Sequence, residues 1–591
     1  MKFRHIFVSL LAAAGVYTAY QANRPPYHVE IDASRIPTFS QVRLDFEHEY
    51  DEERSLPFLG SAVIDIDNDG MPEVFLGGGH GQPDGLFKYR DAEFVNIADD
   101  LSLRKENTEA SYGAASVDVN SDGYTDLFVA RDSGVYLYLN RDGALVGGRL
   151  SLELDPNAAP IAVSTGDINR DGHVDLFISC FLKPQHLRPR VFNDPHYGTQ
   201  SLLLVNSGAN TFADITALAG SAYTGNTSAA LFADLDNDGL QDLVTAEYTG
   251  HIRIYKNLDG NRFKNMQSPL SGYHGYPMGI ATGDVNNDDR LDLFFTNSGT
   301  TVPRLLARGD LRENQRLHTQ WMLLRNDGSF RFTDVAEEYL LAGYELARGA
   351  VFADFNLDGL EDLVVAANDI RFPPQRLYRN SGKLLLQKDN GTFAPVERIA
   401  RVENRRFGIS PLVADFNNDG YPDLVHVNLD GPAVARINHG GNANFIKVDL
   451  GDSPLALGAR VSLLTETGDR HSKQQLSGQG AAADQAHVVT FGLGHRGATG
   501  IEVKYPSGRT VTVDAPRLNT TVDLREELPR KTPATVELPV PLRETDRHTD
   551  VETTPPSSGI DHPRVMPEVV PAPDTAASPP IEDELLQLLN D

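Results

Sequence analysis

A nine-residue acidic pattern recurs seven times along the chain. It reads Asp-x-(Asp/Asn)-x-Asp-Gly-x-x-(Asp/Glu), and the copies, loops 1 to 7, begin 49 to 70 residues apart at Asp65, Asp118, Asp167, Asp234, Asp284, Asp354 and Asp415. Side-chain oxygens at positions 1, 3, 5 and 9, with the carbonyl of position 7, can surround a hard cation. Calcium suits such a loop because it accepts six to eight oxygens in flexible geometry, whereas magnesium demands a stricter octahedron. We therefore predict up to seven Ca²⁺ ions, one for each loop.

The predicted metal ligands are the residues at positions 1, 3, 5, 7 and 9, of which position 7 offers only its carbonyl. They are Asp65, Asp67, Asp69, Met71, Glu73, Asp118, Asn120, Asp122, Tyr124, Asp126, Asp167, Asn169, Asp171, His173, Asp175, Asp234, Asp236, Asp238, Leu240, Asp242, Asp284, Asn286, Asp288, Arg290, Asp292, Asp354, Asn356, Asp358, Leu360, Asp362, Asp415, Asn417, Asp419, Tyr421 and Asp423. Glycine at position 6 permits the sharp turn. Loop 5 has Asp289 there, which predicts a weaker site because Asp tolerates a left-handed turn better than most residues. Loop 1 ends in Glu73, an oxygen ligand on a longer arm.

The residues after each loop distinguish it from an EF-hand. An EF-hand loop carries its last acid at position 12 and enters a helix. Here the acid is at position 9, and short apolar runs follow, such as Leu127-Phe-Val-Ala and Leu363-Val-Val-Ala. Such runs, rich in β-branched and aromatic residues, are typical of buried strands. Each loop is therefore predicted to lead into a strand.

The loops belong to larger repeats. A run of small residues precedes most loops, and a second strand with a turn follows, as in Ile254-Tyr-Lys-Asn257-Leu-Asp-Gly260. Asn-x-Gly and Asp-Gly between apolar runs are hairpin signals. Three or four strands in about 50 to 60 residues correspond to one blade of a β-propeller. We predict an all-β fold, with a seven-bladed propeller over residues 28–442 and the small residues on the innermost strands.

The pattern changes after residue 442. Alternating apolar residues and glycine turns, including Gly478-Gln-Gly480, predict a small β domain over residues 443–524. Residues 525–591 hold 12 of the 35 prolines and are predicted to be a disordered tail. Near its end, Ile581–Leu589 has the pattern of a short amphipathic helix. This segment is either a docking peptide for a partner or a frayed end.

The repeats resemble the FG-GAP and VCBS repeats of integrin α-subunit heads and of many bacterial surface proteins. The later segment resembles the ASPIC/UnbV domain through Gly458-Ala-Arg-Val461, Phe491-Gly-Leu-Gly494 and Tyr505-Pro-Ser-Gly508, although Tyr505 stands where Trp is common. A propeller followed by this domain is the layout of the cartilage-acidic-protein-like family. The resemblance implies calcium in the loops, and it implies no general activity or catalytic residues.

Composition and the N-terminus restrict the partners and the compartment. The formal net charge of −29 disfavours nucleic acid and anionic lipid, which would repel the chain. The single Cys180 cannot form an intrachain disulfide. Lys2 and Arg4 precede a short apolar run, so residues 1–24 are predicted to be a signal peptide or an uncleaved membrane anchor. We expect an exported protein in the periplasm, at the cell surface or secreted.

Catalytic signatures are weak. We find no nucleophile elbow, zincin helix or Walker loop. Loops entering the predicted inner strands carry residues that could bind a sugar or an anion, or could be structural: Tyr112, Asn226, Tyr273, His274, Tyr276, Arg348, Arg405 and Arg406. The favoured function is a non-enzymatic binding or adhesion scaffold for a protein or glycan partner. The alternative is a carbohydrate-active enzyme, similar to a polysaccharide lyase, that uses these loops for proton abstraction.

Overall fold

The computed structural model describes residues 31–98, 109–187, 191–194, 196–208, 210–299, 307–344, 346–368 and 380–528. The predicted N-terminal segment, nearly all of the tail and the Ile581–Leu589 peptide lie outside the described residues. The described helices include the α-helix Thr216–Ala219 and the 3₁₀ segments Ala33–Arg35, Pro184–His186 and Arg525–Glu527. None of these described helices is long and apolar enough to cross a bilayer.

The region from residue 39 to 438 forms, in its described part, seven antiparallel sheets. Strand β1 (Phe39–Val42) belongs to the last of them. Sheet 1 contains β2 (Ser61–Ile64), β3 (Glu73–Leu76), β4 (Gly85–Arg90) and β5 (Glu93–Asn96); sheet 2 contains β6 (Ser111–Val117), β7 (Asp126–Arg131), β8 (Gly134–Arg141) and β9 (Ala144–Arg149); sheet 3 contains β10 (Ala158–Gly166), β11 (Asp175–Leu182), β12 (Leu202–Asn206) and β13 (Phe212–Asp214); sheet 4 contains β14 (Thr227–Ala233), β15 (Asp242–Glu247), β16 (Ile252–Asn257) and β17 (Phe263–Met266).

The remaining three sheets repeat this order. Sheet 5 contains β19 (Ile280–Gly283), β20 (Asp292–Phe295), β22 (Met322–Asn326) and β23 (Phe332–Asp334); sheet 6 contains β24 (Ala347–Ala353), β25 (Asp362–Ala367), β26 (Lys383–Gln387) and β27 (Phe393–Pro395); sheet 7 contains β28 (Gly408–Ala414), β29 (Asp423–Asn428), β30 (Val434–Asn438) and β1. A separate parallel pair joins β18 (Tyr273–His274) to β21 (Arg316–Leu317). Each predicted acidic loop connects the first two strands of the sheet with its number.

The seven sheets follow one another in a circle. The first strand of each sheet contacts the first strand of the next, and the first strand of sheet 7 contacts that of sheet 1. Apolar clusters lie between consecutive sheets all the way round, including sheets 7 and 1. The all-β prediction is confirmed, and the circular order explains the small residues. A Cβ at Gly113 would lie 2.3 Å from the Ile161 carbonyl oxygen of the next sheet, so only glycine fits there.

The circle is joined by strands from both ends of the repeat region. In sheet 7, β1 pairs antiparallel with β30, with Phe39 opposite Asn438. The other three strands of this sheet come from residues 408–438, so the outermost strand is contributed by the beginning of the chain. This pairing ties the first and last parts of the repeat region together by backbone hydrogen bonds.

A β module follows the circle. Its strands are β31 (Asn444–Asp449), β32 (Arg460–Thr465), β33 (Arg470–Gln474), β34 (Ala483–Asp484), β35 (Val489–Gly494), β36 (Ala498–Lys504), β37 (Thr510–Asp514) and β38 (Thr520–Asp523). They form a three-stranded and a four-stranded sheet around a separate apolar core that includes Val461, Phe491 and Tyr505. Strand β34 is the exception, because it pairs in parallel with β2 of sheet 1.

Candidate functional site

The position-1 carboxylate organises each acidic loop. In loop 2, Asp118 Oδ1 accepts a hydrogen bond from the backbone N–H of Asp122 (3.0 Å), and its Oδ2 accepts one from Gly123 (2.8 Å). Asp122 Oδ1 in turn accepts from the N–H of Tyr124 (2.9 Å). The same three bonds recur in all seven loops. The loops are therefore one structure repeated seven times.

The position-9 acid connects each loop to its sheet. In loop 2, Asp126 Oδ2 accepts from the N–H of Val119 (3.0 Å), and its Oδ1 accepts from the N–H of Asn140 on the third strand (2.7 Å). In loop 2 each oxygen of Asp118 and Asp126 thus accepts one backbone N–H and keeps a second lone pair that can bind a cation. The position-9 acids are fully buried, whereas the acids at positions 3 and 5 are partly exposed in most loops.

The backbone of each loop turns through two left-handed residues. Position 4 has a positive φ in every loop, and so does position 6. Asp289 occupies position 6 of loop 5 with φ of 73°, so this residue adopts the turn that glycine makes elsewhere. The predicted tolerance of aspartate at this position therefore agrees with the backbone.

Because the loop carboxylates are buried, their negative charge is costly when no cation lies beside it. Burial raises the pKa of Asp65, Asp167 and Asp234 to about 6, of Asp118 and Asp284 to about 7, and of Asp175, Asp242, Asp292 and Asp354 to about 8. Desolvation of this kind disfavours the ionised form. A bound divalent cation would reverse it by neutralising the charge. Hard oxygens, free lone pairs and buried negative charge together fit calcium. In loops 1 and 4 the acids lie close enough to one another to share one cation: Asp65, Asp67 and Glu73 in the first, and Asp234, Asp236 and Asp238 in the second.

A set of amide side chains links neighbouring sheets, and sequence reasoning assigned one of them, Asn257, only to a turn. Asn257 Nδ2 donates to the Ile168 carbonyl of sheet 3 (2.9 Å), and Asn326 Nδ2 donates to the Leu235 carbonyl of sheet 4 (2.8 Å). Asn140, Gln387 and Asn438 make equivalent bonds to the preceding sheet. The acceptor is always the residue at position 2 of the neighbouring loop. The signal in the sequence is an Asn or Gln at the end of the third strand.

The β module binds the circle on the side that carries the acidic loops. Asp289 of loop 5 pairs with Arg460 (2.7 Å), and Lys473 pairs with Glu361 at position 8 of loop 6 (2.6 Å). The Gln474 side chain donates to the Asp234 carbonyl of loop 4 (2.8 Å). The departure from glycine at Asp289 is thus explained, because its carboxylate is a contact for the module. A cavity of about 620 Å³ lies between loops 1 and 2 and the module.

A stretch of the module fills the middle of the circle. This channel segment, residues 476–487, exchanges two backbone hydrogen bonds with Ile280 of sheet 5 through Gly480 (2.8 and 3.1 Å). Asp484 accepts from the N–H of Ser116 in sheet 2 (2.9 Å), and Gln485 accepts from the N–H of Val413 in sheet 7 (3.0 Å). The segment therefore contacts first strands on several sides of the circle.

The other end of the channel is closed by residues 55–59. Leu56 and Phe58 are buried in one apolar cluster with Tyr112 and with Ala482 of the channel segment. The Arg348 guanidinium donates to the Pro57 carbonyl (2.8 Å), and Tyr112 accepts from the Leu56 N–H (3.2 Å). Both of these predicted ligand-binding residues are at most 3% exposed. They hold the closure in place in this structure.

The other predicted ligand-binding residues have varied surroundings. Asn226 is fully buried and accepts from the Leu182 N–H (2.9 Å). Tyr273, His274 and Tyr276 are half-buried. The rings of His274 and Tyr276 contact Phe192, the Tyr273 ring contacts His318, and the Tyr276 hydroxyl donates to the Ala307 carbonyl (3.1 Å). Arg405 and Arg406 are exposed, and they bind Glu403 (2.9 Å) and the Asp430 carbonyl (3.3 Å) respectively. The fold thus gives His274 and Tyr276 a shared aromatic neighbour and brings Tyr112 and Arg348 to the same closure.

The sequence matches two known family models and is similar to one known protein over most of its length. The model for the FG-GAP-like repeat matches residues 118–178 and 234–295, and that for ASPIC and UnbV matches residues 450–530. The chain is thus an FG-GAP repeat protein with an ASPIC and UnbV domain. Over most of its length it is homologous to cartilage acidic protein 1. The human protein is 25% identical over 533 residues, which are 83% of this chain and 76% of the relative.

Two further similarities cover less of the chain or are more distant. Integrin alpha-V of Gallus gallus is 29% identical over 210 residues, which are 32% of this chain and 19% of the integrin. Among solved structures, the BP39L lectin from Burkholderia pseudomallei aligns with 66% of this chain and 98% of its own, at 11% identity and a TM-score of 0.39.

Proposed function

We propose that this protein is an exported, calcium-stabilised scaffold that binds a protein or glycan partner without catalysing a reaction. The observation that carries the proposal is the sevenfold repetition of one oxygen-lined loop on the side of the circle where the module docks. Cations there would neutralise buried carboxylates that otherwise repel one another. The second support is that segments of the chain itself fill the middle of the circle, where many propellers place a ligand.

Calcium would stabilise the fold through linkage. An ion that binds only the folded chain adds RT ln(1 + [L]/Kd) to the free energy of unfolding. With Kd of about 10⁻⁴ to 10⁻³ M, as for extracellular modules, 2 mM calcium adds roughly 0.7 to 1.8 kcal/mol per loop. With up to seven loops occupied, the total is at most about 5 to 13 kcal/mol. The melting entropy of a folded region of this size is roughly 1 kcal/mol per kelvin, so the melting temperature should rise by at most about 5 to 13 °C.

Calorimetry with and without calcium tests the metal part of the proposal. The chain is dialysed against excess EDTA, and its melting temperature is compared with that of the same sample after addition of 2 mM CaCl₂ or 2 mM MgCl₂. We expect calcium to raise the temperature and magnesium to raise it less. Equal melting temperatures in EDTA and in calcium would refute a calcium-stabilised fold.

A second candidate function rests on the aromatic group around Tyr276 and His274. Here the enzyme would be similar to a polysaccharide lyase. Burial raises the pKa of Tyr276, however, and its hydroxyl already donates to a backbone carbonyl. Both features oppose a role for Tyr276 as a general base, which must ionise near neutral pH.

Incubation with acidic polysaccharides separates the two functions. Polygalacturonate, alginate and chondroitin sulfate are tested for saturable binding and for new chain ends. Binding without turnover supports the scaffold. Turnover that is lost in Tyr276→Phe or His274→Ala would support the lyase and overturn the scaffold. Deletion of residues 581–591 tests the predicted docking peptide, since full retention of every bound partner would remove that role.

A further inference from the structure

Two of the seven loops carry an extra acid. Position 3 is Asp67 in loop 1 and Asp236 in loop 4. In the other five loops this position is asparagine: Asn120, Asn169, Asn286, Asn356 and Asn417. Loops 1 and 4 therefore have four carboxylates at positions 1, 3, 5 and 9, and each of the others has three.

The same two loops face a lysine on the third strand of their own sheet. The register of the second and third strands places one third-strand residue opposite position 9 in each sheet. This residue is Lys88 in sheet 1 and Lys256 in sheet 4. In the remaining sheets it is Leu139, Val205, Arg325, Leu386 and Ile437. Among these, Arg325 pairs with Asp327 outside the ligand set of its loop (2.9 Å).

Other cations contact loops 5, 6 and 7 at one ligand carboxylate each. Lys447 lies 2.9 Å from Asp415 in loop 7, Arg35 lies 2.7 Å from Asp358 in loop 6, and Arg290 pairs with Asp288 in loop 5. In loops 1 and 4, by contrast, one third-strand lysine contacts the acids at two or three ligand positions at once.

The ammonium group of Lys88 lies among the predicted ligands of loop 1. Its Nζ is 2.8 Å from both carboxylate oxygens of Asp67, 2.8 Å from Asp69 Oδ2 and 2.8 Å from Glu73 Oε1. The Lys88 side chain is 3% exposed, and Glu73 is fully buried. A charged group in such a place cannot move into solvent without leaving three carboxylates unpaired, which is costly.

Lys256 makes the corresponding contacts in loop 4. Its Nζ pairs with Asp236 and lies 2.8 Å from Asp238 Oδ2. The ammonium also lies 5.1 Å from the centre of the Phe330 ring, which favours a cation at that position. The side chain is 24% exposed, so this contact is more open to water than that of Lys88.

A calcium ion would need these same oxygens. It binds them at 2.3 to 2.6 Å, and it would carry two positive charges into direct repulsion with the ammonium group. Loops 1 and 4 therefore fit the metal poorly, because one ammonium group already contacts two or three of the carboxylates that the ion would need.

We propose that Lys88 and Lys256 take the place of the divalent cation in loops 1 and 4, so that the chain binds at most five calcium ions. This inference rests on the proposed function, because it takes calcium as the occupant of the remaining loops. The lysines close their two loops without metal, and sheets 1 and 4 keep their geometry when calcium is removed.

Counting bound ions tests the inference. The wild-type chain and the double variant Lys88→Met/Lys256→Met, both purified in calcium, are brought to equilibrium with 5 mM ⁴⁵CaCl₂, and bound ions per chain are measured. We expect no more than five in the wild type and two more in the variant. Methionine is unbranched like the lysine stem and one atom shorter, so it removes the ammonium group and keeps most of the apolar packing. Six or seven ions in the wild type, or equal numbers in both proteins, would overturn the inference.

A melting experiment gives a second readout, which stays informative if the double variant folds poorly. In EDTA the double variant should melt below the wild type, since four carboxylates in each altered loop lose their counter-charge, and calcium should raise its melting temperature more than that of the wild type. Leu139→Met, at the equivalent place in sheet 2, is the matched control and should gain no ion. An equal rise in double variant and wild type would overturn the inference. If neither protein binds calcium, the proposed function is refuted. If the wild type binds six or seven ions, only the inference about the two lysines is refuted.

Discussion

Raising the pH should loosen the channel segment, because a buried histidine joins it to the rest of the protein. His487 Nδ1 lies 2.8 Å from Asp452 Oδ1, and its Nε2 lies 3.7 Å from Asp484 Oδ2. Asp484 binds the Ser116 N–H of sheet 2, and the Asp452 carbonyl accepts from the Asp118 N–H of loop 2 (3.0 Å). The imidazolium is therefore the common partner of two carboxylates that contact the circle.

The magnitude follows from the pKa of this histidine. Burial alone would lower the pKa of His487, but the charges of Asp452 and Asp484 outweigh burial and raise the pKa to about 10. The ordinary value is about 6.5. A group whose pKa is raised in the folded state contributes stability that is fully present below pH 6.5 and is lost as the pH rises through about 10. At roughly 1.4 kcal/mol per pH unit, the contribution is on the order of 4 kcal/mol at pH 7 and near 1 kcal/mol at pH 9.

The assay compares urea unfolding of the wild type and of His487→Gln from pH 6.5 to 10.5. The difference in unfolding free energy should shrink steadily across this range, and other alkaline titrations cancel in it. His251→Gln is the control. Burial lowers the pKa of His251 to about 4, so it stays neutral throughout and its substitution should cost the same at every pH. A pH-independent difference for His487→Gln would refute the reasoning.

Three further predictions concern the loops and their links. Asp289→Asn keeps a residue that tolerates the left-handed turn but loses the ion pair with Arg460, so it should lower the free energy of unfolding by about 1 to 2 kcal/mol. Urea unfolding in low and high NaCl should show a smaller loss at high salt, because salt screens the ion pair. Equal losses at both salt concentrations would contradict this prediction. Asn257→Ala removes the buried link to sheet 3 and should cost about 2 to 4 kcal/mol in the same assay, whereas exposed Asn265→Ala should stay within about 0.5 kcal/mol. In excess EDTA, the melting temperature should fall as the pH rises from 5 to 8. The reason is that buried loop carboxylates with pKa values of about 6 to 8 bind more protons in the folded than in the unfolded chain. Calcium should make the melting temperature less dependent on pH, and a melting temperature that rises over this range in EDTA would exclude the mechanism.

Local patterns made the loops and their strands predictable. The spacing of acids and glycine defines a turn within nine residues, and the apolar run after it defines a strand. Both signals depend on residues that are close in the sequence, so they can be recognised without knowledge of the rest of the fold. The small residues before each loop also predicted crowding of the first strands, which Gly113 illustrates. Whether calcium fills the loops remains a prediction.

Long-range contacts were not predictable in the same way. Gly478-Gln-Gly480 has the pattern of an ordinary glycine turn, yet it belongs to the channel segment. This segment contacts strand β2, more than 400 residues earlier in the chain, and strand β28, fewer than 100 residues earlier. Asp289 looked like a weakened loop residue because its partner Arg460 lies 171 residues further along the chain. Tyr112 and Arg348 looked like ligand-binding residues because the closure by residues 55–59 has no signature of its own.

The pairing of β1 with β30 has a consequence for how the protein is made. Residues 39–42 must wait for residues 434–438 to leave the ribosome, and the space between the first strands receives its occupant only when residues 476–487 have followed. No early fragment holds all the partners that its strand edges require. Closure of the circle must therefore wait until synthesis of the repeat region is nearly complete, and until then chaperones would have to shield the exposed strand edges.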